Sequence, residues 1–380
     1  MHLVDTTLFH SPTSGGVKRY LHAKHAWITT YTAWQHSIVV PGERERFERG
    51  GLCCLPGWRV PGTFNYRLPL SPRRWRQALD RLEPDVIEVG DAFHPAWCGA
   101  SVAARRGTAL AAFYHSSLPQ ILRHRLGALS ERAARRYIRW LYERFDVVFA
   151  PSRFACQLLG EAGVTRVRHQ PLGVDAEVFH PRRALGDLRE RIAVPRAARV
   201  LVYAGRFTEE KNLPVLLGAF ERLGRPYHLL LIGGRRSARL AANVTLLPYR
   251  TDSGELAQWI ASADALVHAG TRETFGLVIL EAMACGRPVV AARAGAIAEL
   301  VDPSVGVLAE PSAAGLAEAI DHLYRRDRQA LGAAARAKVL RQFTWDRVFP
   351  LELAAYAALV AAPHGPLATP EPIAELRAPQ

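Results

Sequence analysis

Short, almost unbroken apolar runs punctuate this chain, and helical patterns fill the gaps between them. The runs are SIVV (37–40), DVIEV (85–89), ALAAFYH (109–115) and DVVFAP (146–151), then RVLVYAG (199–205), HLLLIGG (228–234), VTLL (244–247), DALVHAG (264–270) and RPVVAAR (287–293). Most close on Gly, Pro or a polar residue before a helix begins. A strand that is apolar at nearly every position must be covered on both faces. Such strands alternating with helices predict α/β architecture with parallel sheets.

The series restarts after HPRRALGDLRERIAVPRAAR (180–199), a stretch rich in proline and arginine. At roughly 100–200 residues per domain, 380 residues allow two or three domains. The expected division is a Rossmann-like domain over 1–179 and a second over 180–344. A helix over 345–362 is expected to return to the first domain. The last 18 residues hold five prolines and read as a disordered tail over 363–380.

The formal net charge of +14 favours an acidic partner, whether nucleic acid, an anionic membrane surface or a phosphorylated small molecule. The charge is spread along the chain without a nucleic-acid-binding motif, which argues against nucleic acid. Five cysteines at irregular spacing, with no CxxC pair, suggest reduced thiols rather than disulfides or a zinc site. No apolar run reaches the ~18 residues of a membrane span, and the N-terminal residues lack a signal-peptide pattern. The expected location is the cytoplasm, with attachment to the inner face of the membrane as a further expectation. That attachment rests on SERAARRYIRWLYERF (130–145). Ala134, Ile138, Leu141 and Phe145 share one helical face, and Arg132, Arg135, Arg136 and Arg139 share the other. The arginines are either an ordinary solvated face or a patch for anionic lipid headgroups.

Two loops carry candidate chemistry. In AGRFTEEKNLPVLLGAF (204–220), Arg206 and Lys211 bracket a polar loop between a strand and a helix. Ligands of open α/β sheets bind at the carboxyl ends of strands, and two cations there suit a diphosphate. The alternative is a pair of surface charges, with Lys211 bound to Glu209 or Glu210. In HAGTRETFGLVILEAMACGRPVVAAR (268–293), a strand exits through TRET into a helix closed by Gly286 and Pro288. Free amides near Phe275, Gly276 and Leu277 would attract an anion. Glu273 is placed to accept hydrogen bonds from sugar hydroxyls, or simply to favour the helix dipole. Glu281 lies deeper in the helix, between LVIL and AMAC, facing either ligand or solvent.

The pattern E-T-F-G-L-V-I-L-E followed by A-M-A-C-G-R-P-V-V-A resembles the signature of retaining GT-B glycosyltransferases of the family-4 type, the glycosyl transferases group 1. Five further segments fit the same family in its order: SPTSGGVKRYL (11–21), FYHS (113–116), DVVFAPSRFACQLL (146–159), PLGVDAEVF (171–179) and the loop of Arg206 and Lys211. The resemblance implies the GT-B fold, two Rossmann-like domains facing a central cleft. It implies transfer of a hexose, mannose from GDP-mannose or glucose from UDP-glucose, to a lipid-linked or saccharide acceptor in cell-envelope synthesis. By that resemblance, Arg206 and Lys211 would hold the diphosphate and Glu273 the donor sugar. The amides of Phe275, Gly276 and Leu277 would meet its hydroxyls or phosphates, and Glu281 the ribose. Gly15 and Gly16 would let the first-domain loop close over the phosphates. His115 would sit near the reacting sugar carbon, or else be a satisfied strand-end histidine. No D-x-D sequence is present, so no metal and no cofactor beyond the donor itself is expected, and a front-face displacement is implied. Lys18 stands where the family often has an acidic residue, and Pro248-Tyr249 where it commonly has glycine. A catalytically silent binder of nucleotide sugars is the alternative to an enzyme.

Overall fold

The computed structural model describes residues 1–11, 15–48, 51–61, 65–234 and 240–361. The expected tail therefore lies outside the described residues, as does part of the 11–21 segment.

The first sheet contains β1 (His2–Thr6), β2 (Gln35–Gly42), β3 (Arg46–Phe47), β4 (Leu52–Arg59), β5 (Arg67–Pro69), β6 (Val86–Val89), β7 (Ala109–Phe113), β8 (Val147–Ala150) and β9 (Val167–His169). Its order is β3-β4-β2-β1-β6-β7-β8-β9, with β5 also paired to β4. All pairings are parallel except those of β3 and β5, which run antiparallel to β4. These two edge strands have only two and three residues and little apolar content, so no periodicity announces them. β4 carries Pro56 and Gly57, residues that mask a strand pattern and suit its position near the sheet edge.

The second sheet is parallel throughout: β10 (Arg199–Ala204), β11 (Tyr227–Ile232), β12 (Val244–Leu247), β13 (Ala265–His268), β14 (Val289–Ala292) and β15 (Gly306–Ala309). Its order is β12-β11-β10-β13-β14-β15. The chain runs outward one way from β10 and then the other way from β13. The gap between the carboxyl ends of these two strands is therefore a topological switch point, where open α/β sheets bind ligands. All six residues of β11 and all four of β13 and β14 are buried, as their apolar composition requires.

The chain crosses between the lobes twice, side by side. Val174 pairs with Thr344 in an isolated parallel bridge, and the Val174 amide donates to the Phe343 carbonyl. Gly173 is required there: a Cβ would lie 2.6 Å from the Trp345 ring. Asp175 fixes the following turn by accepting the Glu177 and Val178 amides at 3.0 and 2.9 Å.

The final helix, Trp345–Ala361, lies against the first lobe through a buried ionic cluster. Lys24, on the helix Gly16–Tyr31, reaches Asp5 of β1 at 2.9 Å, Glu88 of β6 at 2.7 Å and Glu352 of the final helix at 3.3 Å. The hydroxyls of Tyr20 and Tyr356 each lie within hydrogen-bond reach of both Glu352 and Glu88, and with one proton apiece each donates to one of them at a time. Burial, joined by the Asp5 carboxylate, pushes Glu88 up to about 7 against the pull of Lys24. A buried ammonium stays charged only because three carboxylates surround it.

Candidate active site

The switch point of the second sheet faces the glycine loop of the first lobe across a cleft of about 220 Å³. Gly15, Gly16, His115, Arg206, Lys211, Glu273, Phe275, Gly276, Leu277 and Glu281 all line it. Residues up to 266 positions apart in sequence thus share one cavity. The folding of β10 beside β13 is what brings the two candidate loops together.

After β10, Gly205 turns the chain and Arg206 follows. The Arg206 guanidinium donates to the Tyr66 hydroxyl of the first lobe at 3.1 Å. Lys211 sits in a short 3-10 turn, and Asn212, left-handed at φ 52°, starts the helix Leu213–Leu223. Lys211 does not pair with Glu209 or Glu210. It donates to Glu273 across the switch point. Glu210 instead accepts the Thr208 hydroxyl at 2.6 Å, and Glu209 pairs with His124 of the first lobe.

After β13, Gly276 caps the helix Leu277–Ala284 with φ 98°, a conformation that glycine adopts without strain. The helix's first residues, Leu277 and Val278, line the cleft, and the first amides of a helix lack intrahelical partners. Glu273, just before it, lies 3.4 Å from His268 Nε2 as well as against Lys211. Burial opposes its charge, but Lys211 and His268 outweigh that and hold the carboxyl well below the usual range.

Glu281 does not face solvent. It is buried, and its Oε1 accepts from Arg19 of the first lobe at 2.5 Å. Its Oε2 is buried with no hydrogen-bond partner among the described residues. One oxygen is thus anchored and the other remains available to a ligand hydroxyl. Burial raises the Glu281 pKa, and Arg19 counteracts it. On the far side of this pair is an adjoining hollow of about 340 Å³, also walled by Tyr249 and Arg250.

Gly15 precedes the helix Gly16–Tyr31, and a Cβ on it would approach the Tyr249 hydroxyl at 3.3 Å. A Cβ on Gly16 would meet Leu277 at 3.0 Å. The two glycines therefore let the lobes approach closely. His115 follows β7, with its ring stacked on Phe113 at 4.6 Å. Its Nε2 is buried with no hydrogen-bond partner among the described residues, and its pKa is pushed down to about 3 by burial, with Lys24 adding to this. This is not a satisfied strand-end histidine.

Sequence reasoning missed Arg19, His268 and Thr274, and noted Tyr249 only as a departure from the family's glycine. Thr274 donates to the His115 carbonyl at 2.8 Å, and Ser152 donates to the Thr274 carbonyl at 2.7 Å. Glu299 of the second lobe accepts the Arg153 and Phe154 amides at 2.9 and 2.6 Å, capping the helix Arg153–Glu161 from across the cleft. His268 and Tyr249 lie at or just beyond the carboxyl ends of strands, the signal that could have flagged them. Arg19 carried no such signal.

On the helix Ala128–Tyr142, Ala134, Ile138 and Leu141 are buried, and Arg132, Arg136 and Arg139 are exposed. The four arginines are not equivalent. Arg135 pairs with Glu131 and Glu161, and Arg139 with Glu143. Among the described residues no helix is long and apolar enough to cross a membrane.

Residues 14–178 match the family model described as Glycosyltransferase Family 4, and residues 198–326 that described as Glycosyl transferases group 1. The chain is 30% identical over 378 residues to a GDP-mannose-dependent alpha-(1-6)-phosphatidylinositol dimannoside mannosyltransferase of Mycobacterium tuberculosis, covering 94% of this chain and 97% of that one. It is 31% identical over 314 residues to a GDP-mannose-dependent alpha-mannosyltransferase of the same species, covering 80% and 81%. Among solved structures, a sucrose-phosphate synthase from Thermosynechococcus elongatus superposes with a TM-score of 0.80 at 21% identity, over 95% of this chain and 99% of that one. Anabaena HepE in complex with UDP and glucose superposes with a TM-score of 0.73 at 19% identity, over 94% and 99%. At these identities the structural likeness speaks to the fold, which is GT-B.

Proposed function

The chain belongs to glycosyltransferase family 4, the glycosyl transferases group 1, and from that premise we propose that it transfers mannose from GDP-mannose to a lipid-linked acceptor, with retention and without a metal ion. The two mycobacterial relatives are named for GDP-mannose, which supports mannose over glucose. One of them is named for a phosphatidylinositol mannoside acceptor, which supports a glycolipid over a free saccharide.

The observation that carries this reading is the convergence of Arg206, Lys211 and the amide end of the Leu277 helix on one cleft wall, with the Gly15–Gly16 loop opposite. Departure of GDP concentrates negative charge on the diphosphate. Arg206 offers a fork of donors and Lys211 a mobile point charge, and the helix amides are already oriented. Donor phosphate would draw Lys211 part-way from Glu273. Glu273, kept ionised, would then accept hydrogen bonds from sugar hydroxyls. The free Oε2 of Glu281 would take a ribose hydroxyl. His115, neutral, would hydrogen-bond a sugar hydroxyl through Nε2. The anomeric C–O bond to the diphosphate breaks as the acceptor oxygen bonds to the same face. The acceptor proton passes to the departing phosphate oxygen. The protein supplies position and counter-charge.

A panel of nucleotide sugars, offered with a mannosylated phosphatidylinositol, tests this. The expected result is release of GDP with mannosylation of the acceptor. Turnover confined to UDP-sugars, or products of inverted configuration, would overturn it.

A further inference from the structure

Lys211 and His268 hold the Glu273 carboxylate, and a different set of groups holds its backbone. Donor phosphate competes for Lys211, so the aim of the carboxylate then depends on the peptide that carries it. That peptide is fixed from both lobes. On the second lobe's side, the Glu273 carbonyl accepts the Ala296 amide at 3.0 Å. Gly295 makes this approach possible: at φ 57°, a Cβ on it would lie 2.9 Å from the same carbonyl oxygen. On the first lobe's side, the Ser152 hydroxyl donates to the Thr274 carbonyl at 2.7 Å, and the Thr274 hydroxyl donates to the His115 carbonyl at 2.8 Å.

The two first-lobe contacts come from neighbouring strand ends. His115 leaves β7 and Ser152 leaves β8, and these strands pair in parallel. Thr274 sits against both exits, so it registers the lobes at one point. Ser152 Oγ also accepts the Ala155 amide at 3.0 Å, capping the helix Arg153–Glu161, and its single proton serves the Thr274 carbonyl. Glu299 grips the start of the same helix, which gives the contact a stiff base. Thr274 directly follows Glu273, and the carbonyl it binds belongs to His115, whose side chain faces the cleft with a buried Nε2. The two side chains assigned to the donor sugar, one from each lobe, are therefore spaced by one hydrogen bond between adjoining backbone. Such a bond adds little to holding two lobes together. A drift of about 1 Å at a reacting centre, by contrast, can cost on the order of a hundredfold in rate. The effect of the contact is thus expected in turnover more than in stability.

We propose that Thr274 and Ser152 are positioning residues that make the sugar site conditional on closure: in the shut enzyme they set Glu273 against His115, and when the cleft opens Glu273 loses that alignment. Both act through Glu273. The inference rests on the proposed function in taking Glu273 and His115 as the groups that meet the sugar.

The test measures kcat and donor KM with whichever nucleotide sugar the wild-type chain turns over, and amide hydrogen exchange of the segment 270–278 in the donor-free chain. Thr274→Val keeps the side-chain shape and removes the hydroxyl. It should lower kcat about tenfold, leave KM within about twofold and speed exchange of that segment. Thr274→Ser should restore both kcat and protection. Ser152→Ala should act in the same direction, and the double variant should lose less than the product of the two single losses, because both act on one peptide. Wild-type kcat in Thr274→Val, a loss confined to KM, a loss that Thr274→Ser does not recover, or unchanged exchange would overturn the proposal. A wild-type chain that ignores GDP-mannose but turns over another donor defeats the mannose reading and leaves this test intact, so the two can fail separately.

Discussion

The Lys211 ammonium and the Glu273 carboxylate, 62 residues apart, meet across the switch point between β10 and β13. Each neutralises the other until a donor arrives, so the two lose function differently. Lys211→Ala should raise the donor KM and lower kcat, together on the order of a hundredfold in kcat/KM, by removing phosphate counter-charge. Glu273→Ala should cut kcat as strongly, and either variant should destabilise the fold by leaving its partner largely buried without a counter-charge. The Glu273 side chain is only 14% exposed, so losing the pair should cost about 2 kcal/mol, between surface and fully buried values. Steady-state kinetics and thermal unfolding of both variants check this. Wild-type kinetics in either would remove the site assignment.

Glu281 has one anchored oxygen and one open oxygen. Arg19→Ala should therefore weaken GDP binding by about tenfold, although Arg19 belongs to the other lobe, because the carboxylate loses its orientation and its counter-ion. Calorimetric titration with GDP measures this, and unchanged affinity would mean that Oε2 meets no ribose.

His115 titrates near 3 in the folded chain and near 6.5 when unfolded. Between these values the unfolded state binds more protons, so stability falls as pH drops from 6.5 towards 3. His115→Gln should flatten that slope in pH-dependent unfolding. The same shift keeps the ring neutral at pH 5–8, so His115 itself should contribute no break to the kcat profile there.

Glu88 behaves oppositely. Its folded pKa of about 7 lies above the ordinary carboxylate value, so the folded state binds more protons between about 4.5 and 7. Its contribution is present below 4.5 and is lost as pH rises through 7. Glu88→Gln should remove this slope, whereas Lys24→Met, leaving Asp5, Glu88 and Glu352 buried without a cation, should cost about 3–5 kcal/mol. Denaturant unfolding at pH 5 and pH 8 distinguishes the two.

Glu299 caps a helix of the opposite lobe. Glu299→Ala should lower stability by about 1 kcal/mol and loosen the closed arrangement, with faster proteolysis of the 170–198 crossing. Glu299→Gln, which keeps an acceptor, should recover most of the loss. Identical digestion of all three would refute the latch.

Much of this protein was legible without coordinates because its information is local. Unbroken apolar runs such as HLLLIGG can only be covered strands, and the helix after Gly276 is announced by its glycine and by its closing Gly286–Pro288. The strand-end rule drew attention to Arg206, Lys211 and Glu273, and the structure brings all three to one cleft. What the tertiary structure decided is pairing. No spacing in the sequence says that Lys211 binds Glu273 rather than Glu209, or that Arg19 reaches Glu281. Nor does it say that Arg135 is spent on Glu161 while Arg132 is not. A charge's identity is written at its own position, but its partner is set by whichever strands and helices happen to be adjacent, and adjacency is a property of the whole fold.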